Sequence, residues 1–172
     1  MAILPKFFNE TTMQIQRNFY LQQLIDGRQN GLIKIITGIR RCGKSYLLFT
    51  LFYQYLKANG IAEDHIIKIA LDDIESADLR EPLALYRYIK GQMKDASLYY
   101  ILLDEVQLVA RFEEVLNSLL RIDNADVYVT GSNSRFLSSD IITEFRGRGD
   151  EIHLYPLSLS EYCDGTGQRP ID

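Results

Sequence analysis

Gly38-Ile39-Arg40-Arg41-Cys42-Gly43-Lys44-Ser45 is the stretch from which the fold of this 172-residue chain is predicted. It fits the pattern G-x-x-x-x-G-K-[ST], in which glycines let several backbone N–H groups turn inward around a phosphate group. Lys44 supplies a positive charge for the outer phosphates, and the Ser45 hydroxyl is a suitable ligand for Mg²⁺. The stretch therefore predicts a loop that binds a nucleoside triphosphate, with Gly38 to Ser45 and the following Tyr46 as the contacting residues.

The context of the loop agrees with this interpretation. The apolar run Leu32-Ile33-Lys34-Ile35-Ile36 precedes it and is typical of a buried strand. Tyr46 to Lys57 follows it without Gly or Pro and predicts a helix whose positive end points at the phosphates. The alternative is a glycine-containing turn that binds nothing, and the complete pattern between a strand and a helix favours the phosphate-binding loop.

Composition sets the outer limits. With 47% hydrophobic and 24% charged residues, the chain is typical of one globular domain with a substantial core. The net charge of -4 does not indicate nucleic acid binding. A nucleic acid or protein partner that binds a local surface patch is left open. No apolar run approaches the length of a membrane helix, and Lys6, Asn9 and Glu10 interrupt any signal-like start, so we expect a cytoplasmic protein without a membrane partner. Cys42 and Cys163 lack metal-type spacing, and we expect no structural disulfide.

Hydrophobic periodicity predicts alternating helices and strands. Helices are predicted at 14–25, 46–57, 82–93, 112–121 and 141–145, and strands at 32–36, 65–71, 99–103, 127–130 and 151–154. This alternation, with apolar strand interiors, predicts an α/β fold with a parallel sheet covered by helices on both faces. We expect residues 1–13 to be a leader, 14–162 to be the core, and 163–172 to begin a C-terminal extension.

A second chemical signal is the acidic pair Asp104-Glu105, which directly follows the apolar strand ending in Leu102-Leu103. Such a pair commonly accompanies a phosphate-binding loop: Asp104 would hold Mg²⁺ alongside Ser45, and Glu105 would orient and polarise the attacking water. The alternative is a solvated turn or helix cap. Downstream of the complete loop, the functional interpretation is favoured.

Two further groups of polar residues are candidates for contact with the nucleotide. Thr130, Ser132 and Asn133 follow the fourth strand and could reach a γ-phosphate or the attacking water, although a turn that caps the next helix explains them equally well. Arg146 and Arg148 lie on a short loop, where composition alone favours surface ion pairs over contact with a neighbouring subunit's nucleotide.

The chain resembles the N-terminal ATPase core of a large bacterial and archaeal AAA-type family of the AAA+ superfamily. The motifs that carry the resemblance occur in order over about residues 15–162, and they are Arg17–Leu21, Ile36–Ser45, Leu103–Gln107, Thr130–Ser134, Phe145–Arg148 and Tyr155–Tyr162.

The resemblance implies a three-layer P-loop fold with a five-stranded sheet in the order 5-1-4-3-2, and ATP and Mg²⁺ as cofactors. It implies Asp104 as a magnesium ligand, Glu105 as the catalytic carboxylate, and a polar sensor at the end of the fourth strand, for which Thr130 is the candidate. It also implies a homo-oligomer in the full-length protein, with Arg146 or Arg148 as an arginine finger. Members of the family usually continue into a helical lid and a C-terminal domain of unassigned function, so we expect weak activity from these 172 residues alone.

These motifs leave three functions open. The first is an Mg²⁺-dependent ATPase whose hydrolysis drives a conformational change. The second is a regulatory switch that binds ATP and turns over rarely. The third is a small-molecule kinase, which is disfavoured because Asp104-Glu105 suits water activation and no acceptor-binding lid is evident. The sequence lacks the N-K-x-D motif of guanine-binding proteins, but the residues alone do not choose between adenine and guanine.

Overall fold

The computed structural model describes residues 15, 17–132, 145 and 147–166, with the backbone alone for 164–166. Asn18–Pro156 forms one compact unit, and Leu157–Asp172 is grouped with Met1–Arg17 in a second unit. The candidate site lies within the first unit.

Five parallel strands form a single sheet in the first unit. Their spatial order is β2-β3-β4-β1-β5, which confirms the predicted order 5-1-4-3-2 when it is traced from the opposite edge. The strand bounds are β1 Ile33–Thr37, β2 Ile66–Ala70, β3 Tyr99–Asp104, β4 Ala125–Thr130 and β5 Gly149–His153.

The two faces of the sheet bury separate hydrophobic clusters. Alternate residues of a strand point to opposite faces, so Ile35 and Val129 contribute to one cluster while Ile36 and Tyr128 contribute to the other. Because both faces are covered, the central strands are apolar on both sides, and all of β1 is buried. The predicted three-layer α/β fold is therefore confirmed.

Among the described residues of this unit, two helices pack on each face of the sheet. Helix α1 is Asn18–Asp26, and α2 comprises three successive helical stretches over 44–58, which are Lys44–Tyr46, a π-helical Leu47–Phe52, and Tyr53–Ala58. Both supply residues to the cluster around Ile36. On the opposite face, α3 is Pro82–Gln92 and α4 is Phe112–Leu119. Pro82 occupies the first helical position, where its missing N–H costs nothing.

Several predicted boundaries need correction. The first helix begins at Asn18 rather than at residue 14, and a 3₁₀ helix that was not predicted, Ile74–Arg80, lies between β2 and the helix that starts at Pro82. Strand β5 starts at Gly149, two residues before the predicted start at residue 151, because Gly149 pairs with Ile33 of β1. A Cβ atom on Gly149 would lie 2.7 Å from Ile35 Cδ1, so glycine fits at this position although its strand propensity is poor. The predicted helix at 141–145 lies outside the described residues, apart from Phe145 itself.

The second unit contains helix α5, Leu159–Thr166, which the periodicity analysis did not predict. Its start is a capping box: Glu161 N donates to Ser158 Oγ at 3.2 Å, and Ser158 N donates to Glu161 Oε2 at 2.8 Å. Arg17 Nε also donates to Glu161 Oε1 at 3.1 Å. The pattern Ser-x-x-Glu could have identified this helix start from the sequence.

Candidate nucleotide site

The residues singled out from the sequence meet at one edge of the sheet. Because the strands are parallel, their carboxyl ends lie together, and Val129 of β4 is level with both Ile35 of β1 and Leu103 of β3. The phosphate-loop sequence begins where β1 ends, Asp104 ends β3, and Thr130 ends β4. The cleft outside the carboxyl ends of such strands is where α/β sheets bind ligands.

The loop between β1 and α2 has the backbone that its sequence predicts. Gly38 and Gly43 have φ values of 144° and 96°, in the region that favours glycine. Arg41 also has positive φ, 66°, which is uncommon for a residue with a side chain. Ile39, Arg40 and Arg41 are exposed along the loop, as is Ser45 at the start of α2, whereas Cys42 is 6% exposed and packs into the hydrophobic cluster.

Lys44, the predicted cation for the outer phosphates, is buried in the structure. Its side chain is enclosed by its own loop, and the residue is 4% exposed. The ammonium group donates to the carbonyl oxygens of Gly38 at 3.1 Å and Ile39 at 2.9 Å. These bonds give the buried charge two hydrogen-bond acceptors within its own loop.

Ser45 and Asp104, the predicted Mg²⁺ ligands, come together in the structure. The Ser45 hydroxyl lies near the Asp104 carboxylate and favours its charged form, which lowers the pKa of Asp104. Burial nevertheless outweighs this effect and raises the pKa of Asp104, and the nearby charges of Glu105 and Asp72 act in the same direction. A hydroxyl and a carboxylate with uncompensated negative charge form a donor set that suits Mg²⁺, so the residues present fit the ion that the sequence predicts.

Thr130 links the two acidic residues. Its hydroxyl donates to Asp104 Oδ1 at 2.5 Å and accepts from the backbone N–H of Glu105 at 3.0 Å. The side chain is fully buried. In this structure Thr130 therefore orients Asp104 and the backbone at Glu105. The sequence placed it near these residues, but its proposed contact with a γ-phosphate stays a prediction.

The Glu105 carboxylate is held by two side chains. Ser132 Oγ donates to Glu105 Oε2 at 2.7 Å, and Gln107 Nε2 donates to the same oxygen. Ser132 was among the polar residues considered after β4, whereas Gln107 was missed as a functional residue. The signal that could have identified Gln107 is its position two residues after Glu105, but a spacing of two does not predict contact in regular structure.

The side chains at the end of β5 form a further polar group near the loop. The Thr37 hydroxyl donates to Glu151 Oε1 at 2.7 Å and lies 2.9 Å from His153 Nδ1. Leu154 N donates to Thr37 O at 2.8 Å, which ties the end of β5 to the residue before Gly38. The sequence assigned no role to His153, because the pairing of β1 with β5 was needed to bring it beside Thr37.

Arg148 lies beside the amino end of β1, at the opposite end of this strand from the phosphate-loop sequence. Its carbonyl oxygen accepts from Ile33 N at 2.9 Å, at the start of β1, and its Nη1 donates to Asn117 Oδ1 at 2.7 Å. Four residue steps along β1, about 13 Å, separate Ile33 from Thr37. Arg148 is therefore far from the phosphate loop of its own chain, and a finger role would require a neighbouring subunit. Arg146 lies outside the described residues.

A groove of about 610 Å³ lies elsewhere, between α3 and α4. It is lined by Pro82, Tyr86 and Lys90 on one side and by Val115 and Ser118 on the other. It contains none of the predicted phosphate, metal or catalytic residues, so the prediction of a nucleotide site rests on the chemistry of the loop and the acidic pair and not on this groove.

Comparison with known proteins decides the family. Residues 30–163 match a family model described as an AAA domain. The chain belongs to this AAA domain family. A protein of uncharacterized function from Haemophilus influenzae is 36% identical over 149 residues, covering 86% of this chain and 37% of the relative. Another from Methanocaldococcus jannaschii is 32% identical over 134 residues, covering 76% of this chain and 28% of the relative. This chain thus spans about a third of the length of these relatives.

Solved structures share the fold at low sequence identity. A DNA polymerase III gamma subunit-related protein from Thermotoga maritima has a TM-score of 0.57 and 12% identity, with 84% of this chain and 47% of the other covered. DnaA from Aquifex aeolicus bound to AMPPCP has a TM-score of 0.51 and 17% identity, covering 83% and 46%. PCH-2 from C. elegans has a TM-score of 0.51 and 20% identity, covering 75% and 36%. At these identities the similarity establishes the fold alone.

No helix among the described residues is long and apolar enough to cross a membrane.

Proposed function

We propose that this AAA domain binds ATP with Mg²⁺ at residues 38–46 and hydrolyses it to ADP and phosphate, and that hydrolysis drives a conformational change in the full protein. The observation that carries the proposal is the meeting of Ser45 with Asp104, and of Thr130 with both Asp104 and Glu105, at the edge where the phosphate loop begins. A solvated turn or a helix cap would not require these groups to converge.

Each residue has a distinct role in the proposed reaction. Lys44 would exchange its bonds to the Gly38 and Ile39 carbonyl oxygens for the β- and γ-phosphates. The backbone N–H groups of the loop would surround the phosphates at the start of α2. Glu105 would accept a hydrogen bond from the attacking water and orient it towards the γ-phosphorus. Because phosphoryl transfer needs positioning and charge stabilisation more than covalent help, these groups suffice as a core site.

Ser45 and Asp104 are the residues that would hold Mg²⁺. When bound, the ion would neutralise charge on the phosphate oxygens. Asp104 is suited to this role because its carboxylate is buried beside other acids, and the unfavourable charge that raises its pKa would be offset by a cation. Thr130 would keep one oxygen of Asp104 fixed by its hydrogen bond.

Subunit association is proposed to complete the site. Arg148 is remote from the loop of its own chain, and its exposed side chain lies on the surface from which a neighbouring subunit could be contacted. Arg146, two residues earlier, is the second candidate for an arginine finger. Activity of the 172 residues alone is therefore expected to be weak.

The test is steady-state phosphate release by the full-length protein with ATP, in the presence and absence of Mg²⁺. Sustained, Mg²⁺-dependent turnover that Lys44→Ala abolishes would support the ATPase. Tight ATP binding with a single slow turnover would instead identify a regulatory switch. Transfer of the phosphoryl group to a small acceptor without phosphate release would identify a kinase, and both outcomes would contradict the proposal.

A further inference from the structure

We propose that Gln107 is a positioning residue for hydrolysis, which fixes the rotamer of Glu105 through its side-chain amide. This inference rests on the proposed ATPase function and assigns a role to a residue beyond the phosphate loop and the acidic pair. Gln107 acts through Glu105 and has no assigned contact with the nucleotide.

The backbone after β3 brings the two side chains together. Glu105 has φ 54° and ψ 47°, a left-handed conformation that is strained for a residue with a side chain, and the 3₁₀ helix Val106–Leu108 follows immediately. This reversal places Gln107 Nε2 within hydrogen-bond distance of Glu105 Oε2. In an α-helix, side chains two residues apart do not face each other, and in a continuing strand they share a face but are separated by about 6.6 Å along the strand.

The contact selects one oxygen of the carboxylate. Gln107 Nε2 and Ser132 Oγ both donate to Glu105 Oε2, from different elements of the fold. Among the described residues, no hydrogen bond is donated to Oε1 of Glu105. Two donors on one oxygen fix the plane of the carboxylate and leave the other oxygen to accept from water, which is the orientation that a water-activating carboxylate needs.

The other end of the Gln107 amide indicates that the contact serves function rather than stability. Gln107 Oε1 is buried, and it has no hydrogen-bond partner among the described residues. Such an unpaired acceptor destabilises the fold. A flipped amide would bring Oε1 against Oε2 of Glu105, two acceptors facing each other, so the observed orientation is the one in which the carboxylate is held. The protein thus keeps an uncompensated acceptor in order to keep the bond to Glu105.

The test is a mutant cycle on the full-length protein, measured with Mg²⁺-ATP as substrate. Gln107→Met keeps the length of the side chain and removes the donor. We expect kcat to fall by roughly ten- to a hundredfold, the usual scale for a misplaced catalytic group, with KM and the Kd for ATP unchanged within about twofold. Gln92→Met is the matched control, because Gln92 is exposed at the end of α3, and it should leave kcat unchanged.

The second arm separates positioning from structure. In a Glu105→Gln background, Gln107→Met should cause no further loss of the residual rate, because its effect is transmitted through the Glu105 carboxylate. A purely structural residue would lower kcat by the same factor in both backgrounds. If Gln107→Met does not fold, Gln107→Glu replaces it as a polar variant of the same size. Its carboxylate would repel Glu105, so its kcat should also fall.

The outcomes distinguish this inference from the function on which it rests. Lack of Mg²⁺-dependent turnover in the parent protein would overturn the proposed function and the role of Gln107 with it. Turnover in the parent protein, with parental kcat in a folded Gln107→Met or Gln107→Glu variant, would overturn the positioning role alone. Equal losses in the Glu105 and Glu105→Gln backgrounds would reassign Gln107 to structural support.

Discussion

A Cβ atom on Gly38 would lie 2.4 Å from the carbonyl oxygen of Leu154, so the phosphate loop is packed directly against the chain that leaves β5. The same atom would lie 2.9 Å from Cys42 Sγ. Leu154 N also donates to Thr37 O, immediately before the loop, at 2.8 Å. Gly38 is therefore required by close approach as well as by its positive φ, and the edge strand fixes where the loop begins.

We predict that Gly38→Ala destabilises the protein and weakens ATP binding. The Cβ would collide with backbone at Leu154, and φ 144° is unfavourable for alanine. The expected cost is roughly 1–3 kcal/mol of unfolding free energy, measured by chemical denaturation. Gly91→Ala is the control, because Gly91 lies within α3 with no atom near its Cβ position, and it should be neutral or stabilising by up to about 1 kcal/mol. Equal effects of the two substitutions would contradict the prediction.

Lys44→Ala should lower the affinity for Mg²⁺-ATP by at least about tenfold, because the charge that faces the outer phosphates is removed. Calorimetry measures the affinity, and a thermal melt checks the fold, since Lys44 is buried and bonded to its own loop. Lys57→Ala removes a surface ammonium near the end of α2 that is paired with Glu63, and this variant should bind ATP normally. Unchanged affinity in folded Lys44→Ala would exclude this loop as the nucleotide site.

Glu105→Gln should separate binding from hydrolysis. The amide keeps the size of the side chain and an oxygen for Ser132, but it lacks the charge that polarises water. ATP affinity should be retained, while phosphate release should fall by roughly 10²–10⁴. A phosphate-release assay at saturating ATP provides the measurement. If the variant turns over at the parental rate, Glu105 is a structural residue at the start of the 3₁₀ helix.

Asp104→Asn should remove the Mg²⁺ dependence of ATP binding and raise the apo-protein Tm. Burial raises the pKa of Asp104, so the folded state binds its proton more tightly than the unfolded state does. Ionisation at neutral pH therefore destabilises the fold, and a neutral amide relieves that cost while still accepting from Thr130. Asp123→Asn makes the same charge change at an exposed position. A lower Tm in Asp104→Asn, with the control unchanged, would show that the carboxylate is stabilising.

Arg148→Ala or Arg146→Ala should depress turnover of the full-length protein without weakening ATP affinity, and the parental specific activity should rise with protein concentration. An arginine finger contributes roughly 10³–10⁵ in rate, and Arg148 is too remote to serve its own chain's site. Mixing an arginine variant with Glu105→Gln should partly restore activity, because each subunit supplies what the other lacks.

Asn117→Ala controls for the hydrogen bond that Arg148 makes on its own surface, and it should leave turnover intact. Concentration-independent activity that survives both arginine substitutions would return these residues to a surface role.

The sequence alone predicted the fold class, the sheet order and the position of the proposed phosphate loop, and the structure confirms the fold class and the sheet order. The hydrophobic runs of the strands and the pattern from Gly38 to Ser45 are local, and the resemblance that they carry implies the topology that the structure has. Boundaries were less predictable where an element depends on a distant partner. Gly149 and Asp150 lack strand propensity and join β5 because they pair with β1.

Only the tertiary structure decided how the site is held together. Thr130 bridges to Asp104, and Gln107 and Ser132 meet on Glu105, because parallel pairing and one left-handed residue bring separate strand ends into contact. The burial of Lys44 also became visible only in the structure, although the loop that closes around it is specified by the local pattern. The sequence specifies which chemical groups are available, whereas hydrogen bonds between residues far apart in the chain depend on the folded backbone that sets their distances.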